Sequence, residues 1–435
     1  MLRISQIKLS IDEPTEQLLG LVCKKLQIKE SEVKAFRIYK ESIDARKSNM
    51  IYFIYTVDVS VEMEDKILDK GLKNVSKTPE LAYTHVKKGS QPLKHRPVVI
   101  GFGPAGMFAA LILAQNGYAP IVFERGEQVE ARVASIEAFW SKGILNPKSN
   151  VQFGEGGAGT FSDGKLTSRV RDLRGRKVLE ELVQAGAPED ILYKAHPHVG
   201  TDLLRGIVKN IRKEILRLGG DIYFDTQVTG FRIEDGKLKG LTLDTMGEIS
   251  CEQAILAIGH SARDTFLELF QSGVSLSQKP FSVGLRVEHP QTLVNQAQYK
   301  KFAESARLGS AEYRLTHQAK NGRGVYTFCM CPGGLVVPSA SEDGMLVTNG
   351  MSEHARDQEN ANSALLVQVF PEDFEGNHPL EGIEFQRKLE QKAFELGGGS
   401  YKAPAQLIKD YLEHRPSTQL GKEKPSYALV VHLTE

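Results

Sequence analysis

The residues best placed to do chemistry lie together, in Gly101-Phe102-Gly103-Pro104-Ala105-Gly106. Three apolar residues, Val98-Val99-Ile100, lead into this turn, and an apolar stretch from Met107 to Asn116 leaves it. Gly101 permits a tight turn, Gly103 lets a diphosphate approach the backbone, and Gly106 lets a helix pack against a strand. A helix starting here offers unpaired N–H groups and the positive end of its dipole to phosphate oxygens. Gly117 ends that helix, and Pro120-Ile121-Val122-Phe123 leads to Glu124, 23 positions after Gly101. An acid about 20 residues beyond such a turn binds a ribose hydroxyl. Its charge disfavours a 2′-phosphate, so NADP is not expected in this half. Three spaced glycines alone are a weak signal, because a glycine-rich turn without a ligand has the same pattern. Strand, glycines, helix, second strand and acid in that order make the binding reading the stronger one.

Other residues carry weaker signals. In Gly156-Gly157-Ala158-Gly159, four small residues let the backbone come close to a ring or a phosphate. Lys165, Arg169 and Arg171 could hold an anion, although basic loop residues are usually just solvated. Cys329 and Cys331 are one residue apart, whereas a redox dithiol is normally Cys-x-x-Cys and a structural zinc needs two more ligands. Packing beside the Pro332-Gly333-Gly334 turn is the favoured reading. His196 and His198 flank Pro197 with no third ligand evident, so no metal is expected, and a loop packed over a cofactor fits better. His260 fits a place near a cofactor or on the surface. Arg286 fits an acidic substrate, or an ion pair with Glu288.

These residues need elements to position them. Residues 1–75 read as a small α+β domain, with a strand from Ile4, a helix over 16–26 and strands at 35–39 and 51–61. Residues 76–96 read as a linker and 97–265 as the nucleotide-binding α/β domain. Asp202–Leu218 forms an amphipathic helix capped by Thr201 or Asp202 and stopped by Gly219-Gly220. Strands follow at 222–224, 227–234 and 238–243, then at 254–258. Residues 266–400 read as a substrate or cap domain of strands and loops, and 401–435 as a return toward the nucleotide domain.

At 435 residues the chain calls for two or three domains. Fifty-five basic residues against fifty-four acidic ones give no electrostatic reason to expect nucleic acid or an anionic membrane. No apolar run is long enough to cross a bilayer, and the start, Met1-Leu2-Arg3-Ile4-Ser5-Gln6, does not read as a signal peptide. Four scattered cysteines make no disulfide framework, so a cytoplasmic location is expected. Oligomeric state and substrate are not legible.

The supporting pattern for the cofactor comes later in the chain. Thr226-Gln227-Val228-Thr229-Gly230, a meander, and Ala254-Ile255-Leu256-Ala257-Ile258-Gly259-His260 resemble the flavoproteins related to glutathione reductase. That resemblance implies that Val228 touches the adenine through its backbone and that Ala257 and Gly259 pass near the cofactor, although Ile258 stands where threonine is usual. Glu124-Arg125-Gly126 is similar to the ribose-binding end of FAD enzymes. Closer still is the resemblance to uncharacterised bacterial FAD-dependent dehydrogenases, carried by 152–166, 196–202, Phe328-Cys329-Met330-Cys331-Pro332-Gly333-Gly334 and Thr348-Asn349-Gly350-Met351-Ser352. It covers nearly the whole chain. It implies a Rossmann-like FAD/NAD(P)-binding domain, a second mixed domain, a ferredoxin-like N-terminal domain, and bound FAD serving an oxidoreductase, with NAD(P)H as a candidate electron donor. Relatives carry a glycine where Val430 stands and continue into a late strand and glycine-rich helix start, so a shortened chain with weakened FAD binding is expected. A non-catalytic binding protein acting through its N-terminal domain and an NAD enzyme of another class are the alternatives.

Overall fold

An opening strand rich in isoleucine and leucine organises the first unit. The computed structural model describes residues 1–47, 49–167, 172–427 and 432–433. Strand β1 (Leu2–Ser10) buries Leu2, Ile4, Ile7 and Leu9. Its alternation slips because Gln6 adopts a left-handed φ of 60° at a register shift between Ile4 and Ile7. The extra residue returns Ile7 and Leu9 to the buried face. Helix α1 (Gln17–Leu26) buries Leu18, Val22 and Leu26. Then come β2 (Val33–Lys47), β3 (Met50–Val61), α2 (Glu64–Asp69) and β4 (Val75–Lys77). The four strands pair antiparallel in the order β2-β3-β1-β4. β2 runs well past the expected end at Tyr39, because Glu41, Asp44 and Arg46 hide a strand whose partner β3 supplies the apolar residues. Asp58 of β3 is fully buried and accepts hydrogen bonds from Arg3 (2.8 and 3.0 Å) and Arg37.

This unit comprises Met1–Thr84 together with Lys165–Val199 and Gln291–Glu312. The added segments contribute helices Arg174–Gln184 and Gln291–Tyr299. The second unit comprises His85–Gly164, Gly200–Pro290 and Tyr313–Glu435.

In the second unit, β5 (Val98–Ile100) leads into α3 (Pro104–Gln115), β6 (Ile121–Phe123) and α4 (Val129–Lys142). Helix α5 (Thr201–Arg217) precedes β7 (Asp221–Tyr223), the meander β8 (Val228–Glu234), β9 (Lys237–Leu243) and β10 (Gly247–Ser250), and then β11 (Ala254–Leu256). Strands β11-β5-β6-β7 form a parallel sheet. Val98, Ile100 and Phe123 share a core with Val228, Leu241, Leu243 and Cys251 of the meander. α3 buries Met107, Ala110, Leu111 and Ala114 and packs against α5. α3 starts three residues before Met107 because Pro104, lacking an N–H, suits the first helical position. Neither Thr201 nor Asp202 caps α5: the cap is Gly200, and the Thr201 hydroxyl donates to the Thr160 carbonyl instead.

The later region holds a second sheet, antiparallel, in the order β12-β17-β14-β13. Its strands are β12 (Phe281–Pro290), β13 (Thr316–Gln318), β14 (Gly324–Cys331) and β17 (Asn360–Val369). Beside it lies the pair β15 (Leu335–Pro338) and β16 (Thr348–Met351). Residues 266–400 are therefore not strands and loops alone. They include Gln291–Tyr299 and a long helix, Glu381–Leu396, which buries none of its residues completely. Pro404–Ala405 pairs in parallel with His432–Leu433. Arg169, Arg171 and Val430 lie outside the described residues.

Candidate functional site

The turn between β5 and α3 has almost no spare space on its inner side. A Cβ on Gly101, whose φ is +95°, would lie 2.5 Å from the Ala257 carbonyl oxygen. One on Gly106 would lie 1.9 Å from the Gly101 carbonyl oxygen and 3.3 Å from the Ala257 methyl. These two glycines and Ala257 are thus fixed by close packing of strand, helix and the end of β11. Gly103 differs: its φ is −72°, and an added Cβ would meet only the Gly157 Cα, at an ordinary 3.7 Å. The fold does not need glycine there, which leaves the outer side of the turn as the reason for it. Pro104 and Ala105 are exposed on that side. By helix geometry the N–H groups of Ala105 and Gly106 lack intrahelical acceptors, and neither meets one elsewhere among the described residues. Unpaired donors, a helix dipole and an open approach suit the diphosphate of a dinucleotide.

Glu124 follows β6 and is 5% exposed. Its Oε2 accepts the Phe102 N–H (2.7 Å), and its Oε1 accepts those of Gly126 (2.9 Å) and Gly154 (3.0 Å). The carboxylate therefore braces three loops, and among the described residues Oε2 keeps one acceptor position. Arg125 points elsewhere: it pairs with Asp264 (2.9 and 3.1 Å), donates to Thr265 and stacks over Phe153.

The loop Gly156-Gly157-Ala158-Gly159 lies directly on the turn. Gly156 N–H donates to the Phe102 carbonyl (2.8 Å), and a Cβ on Gly157 (φ +59°) would be 2.9 Å from the Gly103 Cα. Sequence reasoning missed the residue that holds this loop. Arg132 of α4 is fully buried, and its guanidinium donates to the carbonyls of Asn150 (2.9 Å), Val151 (3.1 Å), Glu155 (2.5 Å) and Gly157 (2.9 Å). Burial pulls its pKa down to about 9, against the pull of the Glu124, Glu155 and Glu127 carboxylates, so it stays charged at neutral pH. The signal was an arginine in the buried stripe Val129, Arg132, Ile136, Phe139. Glu155 is also fully buried; it accepts the Val129 N–H and faces Arg212, and burial pushes its pKa up.

Val228 opens β8 with its side chain in the core under the parallel sheet. Gly259 has φ +69° with open space around it, and the exposed His260 meets the Ser261 hydroxyl through Nδ1 at 3.0 Å. The far end of the glycine loop is tied down by Asp163, 1% exposed, which pairs with Arg356 and accepts from the Ser352 hydroxyl. That contact joins the 152–166 segment to the 348–352 segment.

A second constellation gathers three of the segments singled out from sequence. Arg286 of β12 donates through Nη1 to Asn362 Oδ1 on β17 (2.7 Å), and Gly350 and Cys331 adjoin them. Arg286 does not pair with Glu288, whose carboxylate accepts from Asn360 Nδ2 and the Ser426 N–H. Nearby, the Tyr313 hydroxyl meets His289 Nε2 at 2.8 Å, and burial pushes the Tyr313 pKa up. The Cys331 thiol donates to the Cys329 carbonyl. His196, His198 and Lys165 belong to the first unit, where His196 pairs with Glu312 and His198 bridges to Lys165. Among the described residues no group of three metal-ligating side chains occurs, and no helix is long and apolar enough to cross a membrane.

Comparison with known proteins adds the following. Residues 280–435 match the family described as FAD-dependent protein, C-terminal domain-like, and residues 1–60 match a domain of unknown function. Two solved structures are similar in part: Thermovibrio ammonificans THI4 (16% identity, 42% of this chain and 65% of that one, TM-score 0.28) and L-amino acid deaminase from Proteus vulgaris (13% identity, 62% and 64%, TM-score 0.26). This chain spans less than two thirds of either, and likeness this weak assigns no activity. An uncharacterised protein of Clostridium beijerinckii is 52% identical over 428 residues, 98% of this chain and 80% of that protein. At that identity and coverage, this chain belongs to the same family as the C. beijerinckii protein.

Proposed function

We propose that this chain is an FAD-dependent oxidoreductase. The observation that carries the reading is the outer side of the β5–α3 turn, where the Ala105 and Gly106 N–H groups, unpaired among the described residues, follow a glycine that packing alone does not require. The match of 280–435 to an FAD-dependent family favours FAD as the dinucleotide. In this reading Gly101, Gly103, Pro104, Ala105 and Gly106 receive the diphosphate, and Glu124 offers its remaining acceptor position to a ribose hydroxyl. Gly156, Gly157, Ala158 and Gly159, held by Arg132, close over the turn, while Val228, Ala257 and Gly259 line the sheet end. Arg125 acts by bracing Asp264. A bound flavin would supply the electron transfer, and the protein its placement and electrostatics.

NAD(P)H is the proposed electron donor and the cytoplasm the proposed location. The β-α-β-β-α-β order and antiparallel β2-β3-β1-β4 sheet support a ferredoxin-like first domain. The test is to purify the chain, release and identify any flavin, and follow anaerobic bleaching with NADH and with NADPH. FAD that either nucleotide bleaches supports the proposal. A colourless protein that binds adenine nucleotides alone refutes it.

A further inference from the structure

Arg286 and Asn362 leave buried donors with nothing to bond among the described residues. Asn362 is fully buried, and its Oδ1 accepts from Arg286 Nη1. A guanidinium only donates, so the amide cannot turn its nitrogen toward Arg286. Asn362 Nδ2 therefore faces away, and it has no hydrogen-bond partner among the described residues; buried Arg286 Nε has none either. Leaving a buried donor unmade costs about 1–3 kcal/mol. Arg286 also has no carboxylate within 4.0 Å among the described residues, since Glu288 is occupied by Asn360 and Ser426. The close approach of these groups is deliberate: a Cβ on Gly350 would sit 2.2 Å from Asn362 Oδ1 and 2.5 Å from Arg286 Nη1.

We infer that Arg286 and Asn362 seat the carboxylate of a small-molecule substrate. An unpaired guanidinium beside unmet donors calls for an anion with acceptor oxygens, and a carboxylate supplies both with a single negative charge. A water would satisfy the donors and leave the charge unanswered. A phosphate, with nearly two negative charges, would exceed the single guanidinium. The inference rests on the oxidoreductase reading for the word substrate, while carboxylate binding itself stands apart from flavin content.

Isothermal titration of the purified full chain with formate and acetate, the smallest carboxylates, decides it. Inorganic phosphate and chloride serve as comparison anions, and released flavin per chain is measured on the same samples. Saturable formate or acetate binding is expected, weakened at least tenfold by Arg286→Met and less by Arg286→Lys, with flavin content unchanged. Gly350→Ala should also weaken it. If Arg286→Met fails to fold by far-ultraviolet circular dichroism, Arg286→Lys and Asn362→Ser carry the comparison. Absence of saturable binding, phosphate binding tighter than acetate, or variants that bind as well as the parent would overturn the inference. A colourless protein that still binds acetate through Arg286 would keep the carboxylate seat and remove the flavin reading.

Discussion

Replacing Arg132 with methionine should cost the protein stability and its flavin together. Methionine keeps an aliphatic stem of similar bulk, so the change isolates the guanidinium. Four carbonyls, of Asn150, Val151, Glu155 and Gly157, then lose the guanidinium, and the Glu155 carbonyl keeps only the Thr160 hydroxyl at 3.3 Å. At about 1–3 kcal/mol for each unmet buried group the gross loss is large. Relief of burying the cation, visible in a pKa drawn down to about 9, offsets part of it. The net should be about 3–5 kcal/mol, the order seen when one member of a buried charged set is removed. Because Gly157 rests on Gly103, the same change loosens the loop over the diphosphate turn. Urea unfolding should show a lower midpoint, and released flavin per folded chain should fall. Arg132→Lys, with its charge kept but its fork lost, should lie between. An Arg132→Met protein with the parent's midpoint and flavin content would refute this reasoning.

Two further changes probe separate parts of the account. Gly157→Ala forces a side chain into a left-handed conformation 2.9 Å from the Gly103 Cα; it should lose about 1–3 kcal/mol of stability and most flavin affinity, read by flavin titration. Asp58 reports on acid stability. Burial raises its pKa, but hydrogen bonds from Arg3 and Arg37 outweigh that and leave it below the usual carboxylate value. Its contribution is therefore complete above about pH 4 and is lost as pH falls through the depressed folded value. Asp58→Asn should lower stability by about 3 kcal/mol near neutrality and flatten the acid limb of a stability–pH curve; an unchanged limb would contradict the assignment.

What the sequence made legible was the part governed by local rules. Turn, helix and acid between Val98 and Glu124 follow from glycine spacing and apolar runs, and the helix expected at 202–218, observed at Thr201–Arg217, from its period. The cap of that helix was misjudged because Thr201 bonds to Thr160, far away in the chain. The extent of β2 was hidden because its charged half borrows its apolar partner from β3. Arg132, Asp163 and Asn362 were invisible as site residues for the same reason: each acts through groups 18 or more positions away. Arg286 stood out by type, but only the register of β12 on β17 and the Glu288–Ser426 contact show that it does not pair with Glu288.

Gly103 offers the cleanest test of the central claim, because the backbone there suits any residue and an added Cβ meets nothing closer than 3.7 Å. The measurement is flavin released per folded chain, for the parent and for Gly103→Asp, with melting temperature followed alongside. FAD near one per chain in the parent, lost in Gly103→Asp while the flavin-free forms of both proteins melt at the same temperature, is the expected result. Equal flavin in both proteins would place the cofactor elsewhere and contradict the account.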